Sequence, residues 1–318
     1  MDNVAGPATV VFMSETRVPP WKKIAVTGAA GNIGGTVARR LHELGYSLVL
    51  LDKRPAIDPP QPFVQTDLRD LDAVRAALDG VDAVCHIGEV PNILPGMTGE
   101  EVFDINTAVC RTMLAASREA GVKRFIYTSS CQRYGYWGSR QFLTEKLPDV
   151  WPLDESQSAC ATNLYAESKI ANEIQCEAAA GAMQILIYRF PWVLPIGPGE
   201  RTQRHWKRAD EQLFEGFWTY LDIRDAAESY VRGLEPTGPD SSQLSTCEAF
   251  HFVADEIVGD VPLRQKMERF LPDWPPLPEN WGTHMPPVSL EKARRLLGWW
   301  PAYRMSAVIR SGAEQTGT

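Results

Sequence analysis

From Lys23 onward, short runs of apolar and β-branched residues alternate with Gly-marked turns and with longer stretches whose apolar positions recur at helical spacing. The runs Ile24 to Thr27, Ser47 to Leu51, Phe63 to Gln65, Ala83 to His86, Arg124 to Ser129, Gln184 to Arg189 and Ala249 to Val253 predict strands. Between them, Ile33 to Leu44, Leu71 to Leu78, Glu101 to Ala120, Tyr165 to Ala179 and Ile223 to Leu234 predict helices. Strands joined by helices pair in parallel and are covered on both faces. The pattern therefore predicts an α/β fold of Rossmann type, a doubly wound parallel sheet of seven strands. Its main domain would span residues 22–190. Beyond Arg189 the alternation weakens and Trp, Pro and charge accumulate, which predicts a smaller cap over 191–318 that returns one strand and one helix to the sheet. Residues 1–21, with Gly6, Pro7, Pro19 and Pro20, read as a flexible leader.

Composition narrows the partners. The 318 residues are 44% hydrophobic and 23% charged, an ordinary globular balance. Acidic residues outnumber basic ones by 40 to 32, for a net charge of -8, which argues against a nucleic-acid partner. The longest apolar stretches, Leu48 to Leu51 and Ile185 to Tyr188, fall far short of the ~20 residues that span a bilayer. With Asp2 and no long apolar run near the start, the N-terminus does not read as a secretory signal, so a cytoplasmic protein with no membrane partner is expected. Its six cysteines are scattered, form no Cys-x-x-Cys pair, and are expected to be reduced and to bind no metal.

The first strand runs directly into Thr27-Gly28-Ala29-Ala30-Gly31-Asn32-Ile33-Gly34. In this order Gly28 permits a tight turn, Gly31 lets the backbone approach a pyrophosphate, and Gly34 allows close helix packing. The second strand ends at Asp52, where a carboxylate would accept hydrogen bonds from an adenosine ribose and repel a 2'-phosphate. NAD is thus expected over NADP, although Lys53 and Arg54 follow at once and make the opposite demand. Asp67 has two readings, a contact to the adenine amino group or an N-cap for the helix from Leu71.

A second constellation is Tyr165-Ala166-Glu167-Ser168-Lys169. Residues four apart share a helix face, so Tyr165 and Lys169 would point together into a crevice. The ammonium, with an oxidised nicotinamide, would favour the phenolate that a proton acceptor needs. Lys169 would also hold the nicotinamide ribose.

With these motifs in place, the chain from Lys23 to Tyr303 resembles the extended branch of the short-chain dehydrogenase/reductase family, which includes sugar-nucleotide epimerases and dehydratases. The resemblance rests on the glycine turn, Asp67-Leu68, His86 after the fourth strand, Asn106, and Ser129-Ser130-Cys131-Gln132-Arg133-Tyr134-Gly135. It continues through Tyr165 and Lys169, Arg189-Phe190-Pro191, Ile196-Gly197-Pro198-Gly199, Tyr220 to Asp225, and Leu296-Leu297-Gly298-Trp299. It implies that the domain at 22–190 binds the dinucleotide, with Leu68 and His86 among the cofactor contacts. The catalytic hydroxyl, four residues before the Tyr of Tyr-Gly, would be Ser130. Asn106 would prop the active-site backbone, Arg189 and Asp225 would form a structural pair, and a homodimer is implied. Glu89, Cys131, Gln132, Arg189 and Arg204 are the candidate substrate contacts.

Two departures shape the expected reaction. Where the family's dehydratases carry an Asp-Glu pair after the catalytic hydroxyl, this chain has Cys131 and Gln132, and an amide cannot exchange a proton in water elimination. Cys131 could be a small apolar filler or an acid/base thiol. Only twenty residues separate Gly199 from Tyr220, where the nucleotide-sugar enzymes resemble one another in a longer insert. That segment carries a basic run, Arg201 to Arg208 around Trp206, readable as a solvated helix face or an anion site. The long stretch 136–163, with Trp137, Phe142 and Trp151, reads as a substrate wall or as simple packing. The expected activity is NAD-dependent oxidation of a secondary alcohol on a small sugar- or polyol-like substrate. An epimerase that retains NAD is the alternative, and a non-catalytic dinucleotide sensor is the alternative of another class.

Overall fold

The computed structural model describes residues 20–315 apart from 57, 93, 213 and 214. Residues 1–19 of the expected leader lie outside the described residues. Its last residue, Trp21, is packed: the indole donates to the Leu234 carbonyl at 2.9 Å and lies under the Arg124 guanidinium.

The chain begins with β1 (Ile24–Thr27), α1 (Asn32–Glu43), β2 (Leu48–Asp52), β3 (Phe63–Gln65), α2 (Leu71–Ala77), β4 (Ala83–His86) and α3 (Gly99–Glu119). It continues with β5 (Arg124–Ser130), α4 (Arg140–Glu145), α5 (Leu164–Ala179), β6 (Gln184–Phe190), β7 (Val193–Leu194), α6 (Glu200–Glu211), β8 (Leu221–Asp222) and α7 (Ile223–Leu234). The last elements are β9 (Cys247–His251), α8 (Leu263–Phe270) and α9 (Met305–Gln315). Seven strands pair in parallel in the order β3-β2-β1-β4-β5-β6-β9, and β7 and β8 form a separate small pair. The sheet is the expected one, with β9 beginning two residues before the predicted strand.

Why the central strands read as continuous apolar runs is plain from their burial. Alternate residues face opposite sides, and both sides are covered. Ala25, Val84, Phe125 and Ile185 pack in one apolar cluster together with Val74, Val109 and Met113 from α2 and α3. Ile24, Val26, Ile126 and Leu186 face the other cluster, with Val37 and Leu41 of α1 and Tyr230 of α7. This second cluster runs on without a break into Trp206, Trp218, Trp274 and Trp299, so the C-terminal residues share the core of the sheet.

The strand order reverses between β1 and β4, which opens a crevice at their carboxyl ends. Thr27 ties the two sides of it together. Its Oγ1 accepts from the Ile87 and Gly88 amides at 3.0 and 2.9 Å, and its own proton is then directed to His86 Nδ1 at 2.8 Å. Among the described residues, no helix is long and apolar enough to cross a membrane.

Candidate active site

A cavity of about 750 Å³ occupies the crevice. Its first half is built by the turn from β1 into α1. Gly28 has a φ of +69°, and a Cβ on Gly34 would stand 2.2 Å from the Gly28 carbonyl oxygen, so helix and turn touch backbone to backbone. No side chain caps α1 and its first turn has no acidic residue, so the amides of that turn remain available to an anion. Gly28, Gly31, Asn32, Ile33 and Gly34 all line the cavity.

Asp52 lines it too, at the end of β2, and is only 6% exposed. Its carboxylate is fixed from both sides, accepting from the Ala30 amide at 3.1 Å and the Arg54 amide at 2.9 Å. The Arg54 side chain lies 3.6 Å away and is largely exposed. Asp67 does not cap α2. That role falls to Asp70, which accepts from the Ala73 amide at 3.1 Å. Asp67 instead takes a bidentate grip from Arg69, at 3.0 and 2.6 Å, and these bonds hold its carboxyl down at about 2 against a smaller opposing effect of burial. Leu68 packs over Gly88 at the cavity floor.

The second half of the cavity receives Ser130, from the last position of β5, and Tyr165 and Lys169, from one face of α5. Asn163 caps α5 by accepting from the Ala166 amide at 2.8 Å, and its own amide reaches Gln132 at 3.2 Å, so the start of α5 is pinned to the segment after β5. Ser130 Oγ accepts from the Gln132 amide at 3.1 Å. Asn106 makes both backbone bonds of Val90, accepting from its amide at 2.8 Å and donating to its carbonyl at 3.1 Å.

Lys169 is 3% exposed, and its Nζ donates to the Thr128 carbonyl at 2.8 Å and to Glu89 Oε2 at 2.6 Å. Glu89 is therefore not free to meet a substrate as the sequence suggested: Oε2 also accepts from Tyr127 at 3.2 Å, and Oε1 accepts from Asn172 at 2.9 Å. Burial alone would push the Lys169 ammonium down, but Glu89 and Tyr165 outweigh it and hold the group above its ordinary value. By the same balance burial would raise Glu89, and Lys169 with His86 keeps it below the usual carboxylate range.

Four expected contacts do not reach the cavity. His86 is fully buried behind it, held by Thr27, and acts on the site through Glu89, 3.6 Å away. Cys131 is fully buried, donates to the Arg189 carbonyl at 3.3 Å, and has its thiol pushed well up by burial, which suits a filler and not an acid or base. Arg189 does not pair with Asp225. It binds Glu173 through Nε and Nη2 at 3.1 and 2.7 Å and takes Tyr134 and the Glu155 carbonyl through Nη1, whereas Asp225 accepts from the Ala302 and Tyr303 amides. Arg204 is exposed on α6, 4.0 Å from Glu200, and only Trp206 and Ala209 of that helix are buried.

The stretch 136–163 is divided between packing and the cavity wall. Phe142 and Trp151 join Tyr136, Phe217 and Trp274 in an aromatic cluster, while Trp137, held by Thr219 at 2.9 Å, lines the cavity. Phe190, the last residue of β6, and Pro191, Trp192, Val193 and Leu194 beyond it complete this wall. The resemblance pointed only to Arg189-Phe190-Pro191 here. The signal for the rest was an apolar run ending a strand next to the crevice.

Residues 24–216 match the model of the NAD dependent epimerase/dehydratase family, and the chain belongs to that family. It is 26% identical to a UDP-glucose 4-epimerase of Lacticaseibacillus casei over 88% of this chain and 92% of that protein. To a 3 beta-hydroxysteroid dehydrogenase/Delta 5-->4-isomerase of Mycobacterium tuberculosis it is 31% identical, over 34% of this chain and 31% of the other. Among solved structures, a short-chain dehydrogenase/reductase superfamily protein from Agrobacterium tumefaciens with bound NAD superposes with a TM-score of 0.66, at 21% identity, over 92% of this chain and 96% of its own. The cavity fits the family's cofactor in its chemistry: the α1 amides are uncapped, as a pyrophosphate would need, and a carboxylate, Asp52, stands beside the glycine turn.

Proposed function

We propose that this protein oxidises a secondary alcohol of a small sugar- or polyol-like substrate, with Ser130, Tyr165 and Lys169 as its catalytic set. The observation that carries this reading is that all three line one cavity with the glycine turn and Asp52. NAD, when bound, supplies the hydride acceptor. Tyr165 takes the hydroxyl proton of the substrate as phenolate. The acceptor side of Ser130 Oγ is used by the Gln132 amide, so its own proton is left for the substrate oxygen. Two of the three Lys169 N-H groups are used by Glu89 and Thr128, which leaves one for the cofactor ribose.

Among the described residues, the lack of an unpaired cation in the half of the cavity around Ser130 and Tyr165 supports a substrate without a nucleoside diphosphate. Among the described residues that line the cavity, the cationic ones are Lys53, Arg54, Arg69 and Lys169. Lys53 and Arg54 directly follow Asp52 at the end of β2, Arg69 is paired with Asp67, and Lys169 is paired with Glu89. Trp137 and Trp192 offer faces for the C-H side of a ring, and Gln132 offers an amide for its hydroxyls. A second reading, epimerisation with retained NAD, is favoured by the likeness to the Lacticaseibacillus casei epimerase across most of both chains. A panel of sugars, uronates, polyols and UDP-sugars, read by nicotinamide absorbance and by product configuration, separates the two. Stoichiometric NADH from a small alcohol supports the dehydrogenase, and inversion of a UDP-sugar without net NADH supports the epimerase.

A further inference from the structure

Three residues beyond His86, a glutamate sits in a strand-to-loop turn whose neighbours are apolar, and its side chain is 3% exposed. A carboxylate is costly to bury unless it is paired and hydrogen-bonded. Here three groups bond it, Lys169 at 2.6 Å, Asn172 at 2.9 Å and Tyr127 at 3.2 Å, and His86 Nε2 lies 3.6 Å away without a hydrogen bond. Because Thr27 directs its proton to His86 Nδ1, a neutral His86 carries its own proton on Nε2, facing Glu89. The ionisable groups around the pair are thus His86 from β4, Tyr127 from β5, Cys110 from α3, and Tyr165 and Cys176 from α5. Apart from Lys169, none of them is a permanent cation.

We propose that Glu89 is a positioning residue for catalysis: it is the buried counter-ion that keeps Lys169 charged and aims its remaining N-H into the cavity. The part of this that concerns turnover rests on the functional reading above, whereas the pairing itself does not. An ammonium buried without a counter-ion tends to give up its proton. In Glu89→Gln, which keeps the shape of the side chain but not its charge, Lys169 would then titrate at lower pH than in the unfolded chain. Between those two values the unfolded chain binds more protons, so the stability of the variant rises with pH. In the wild type, Lys169 is held above its ordinary value and Glu89 below its own, so the pair adds no such slope near neutrality.

The test is thermal unfolding of the full chain between about pH 6 and about pH 9 for wild type, Glu89→Gln, Lys169→Met and the double variant. The expected result is a melting-temperature deficit in Glu89→Gln that narrows as pH rises and that Lys169→Met relieves. A deficit that is constant with pH and unrelieved by Lys169→Met would overturn the proposal. Should Glu89→Gln fail to fold, a folded double variant supports the pairing, and failure of both variants overturns it. Once a substrate is in hand, kcat of Glu89→Gln should fall with rising pH across a range where the wild type is flat. A uniform loss at all pH values would mean that Glu89 only packs. Wild-type turnover by Lys169→Met would instead overturn the functional reading and leave the stability result standing.

Discussion

A Cβ on Gly34 would stand 2.2 Å from the carbonyl oxygen of Gly28, a contact with backbone that cannot swing aside. Gly34→Ala must therefore push α1 away from the turn that would receive the pyrophosphate. Overpacking of this kind costs roughly 1–3 kcal/mol. The expected outcome is a lower melting temperature together with weakened NAD binding, measured by calorimetric titration. Unchanged NAD affinity would mean that the turn does not cradle the cofactor.

We propose that Asp52, which the Ala30 and Arg54 amides hold in place, sets the cofactor preference. NAD is expected to bind more tightly than NADP. Asp52→Ala, which removes the acceptor and the repulsion together, should narrow or reverse the difference when both cofactors are titrated. Tighter NADP binding by the wild type would show that Lys53 and Arg54 set the preference.

Arg189 and Glu173 form a buried bidentate pair, with Ser129 also donating to Glu173. Removing one member of a buried pair costs roughly 3–5 kcal/mol when the other charge is left alone; Arg133, 3.1 Å from Glu173, stays beside the carboxylate in Arg189→Met and places the loss toward the lower end. Arg189→Met should thus show its main effect in urea unfolding, with a smaller effect on KM among molecules that fold. A large rise in KM with unchanged stability would return Arg189 to the substrate site.

Cys131→Ala should keep turnover within about threefold of wild type, since the thiol is fully buried, bonded to the Arg189 carbonyl and absent from the cavity wall. A loss of about a hundredfold, the scale of a general acid or base, would make it a proton donor.

The sheet was legible because strands buried on both faces leave unbroken apolar runs, as in 48–51 and 185–188. The placement of Gly28, Gly34 and Asp52 around the cavity was legible for a related reason: it follows from backbone geometry and strand position, which local sequence records. Long-range partners were not. Nothing near Arg189 in sequence points to Glu173 over Asp225, and nothing near Glu89 points to Lys169, eighty residues on. The C-terminal helices α8 and α9 were missed because Pro-rich stretches and a tryptophan-rich shared core obscure their short apolar periods. α6 fits the reading of the basic run as a solvated helix face, since few of its residues are buried.

The central claim is that Tyr165 moves the substrate proton. Tyr165→Phe keeps the ring that packs with Val90 and Val102 and removes only the hydroxyl. The direct measurement is kcat for NAD reduction beside the NAD dissociation constant, on wild type and Tyr165→Phe, with a substrate from the alcohol panel. The account predicts a kcat lower by at least about a hundredfold with NAD affinity preserved. Near-normal turnover in Tyr165→Phe would contradict it.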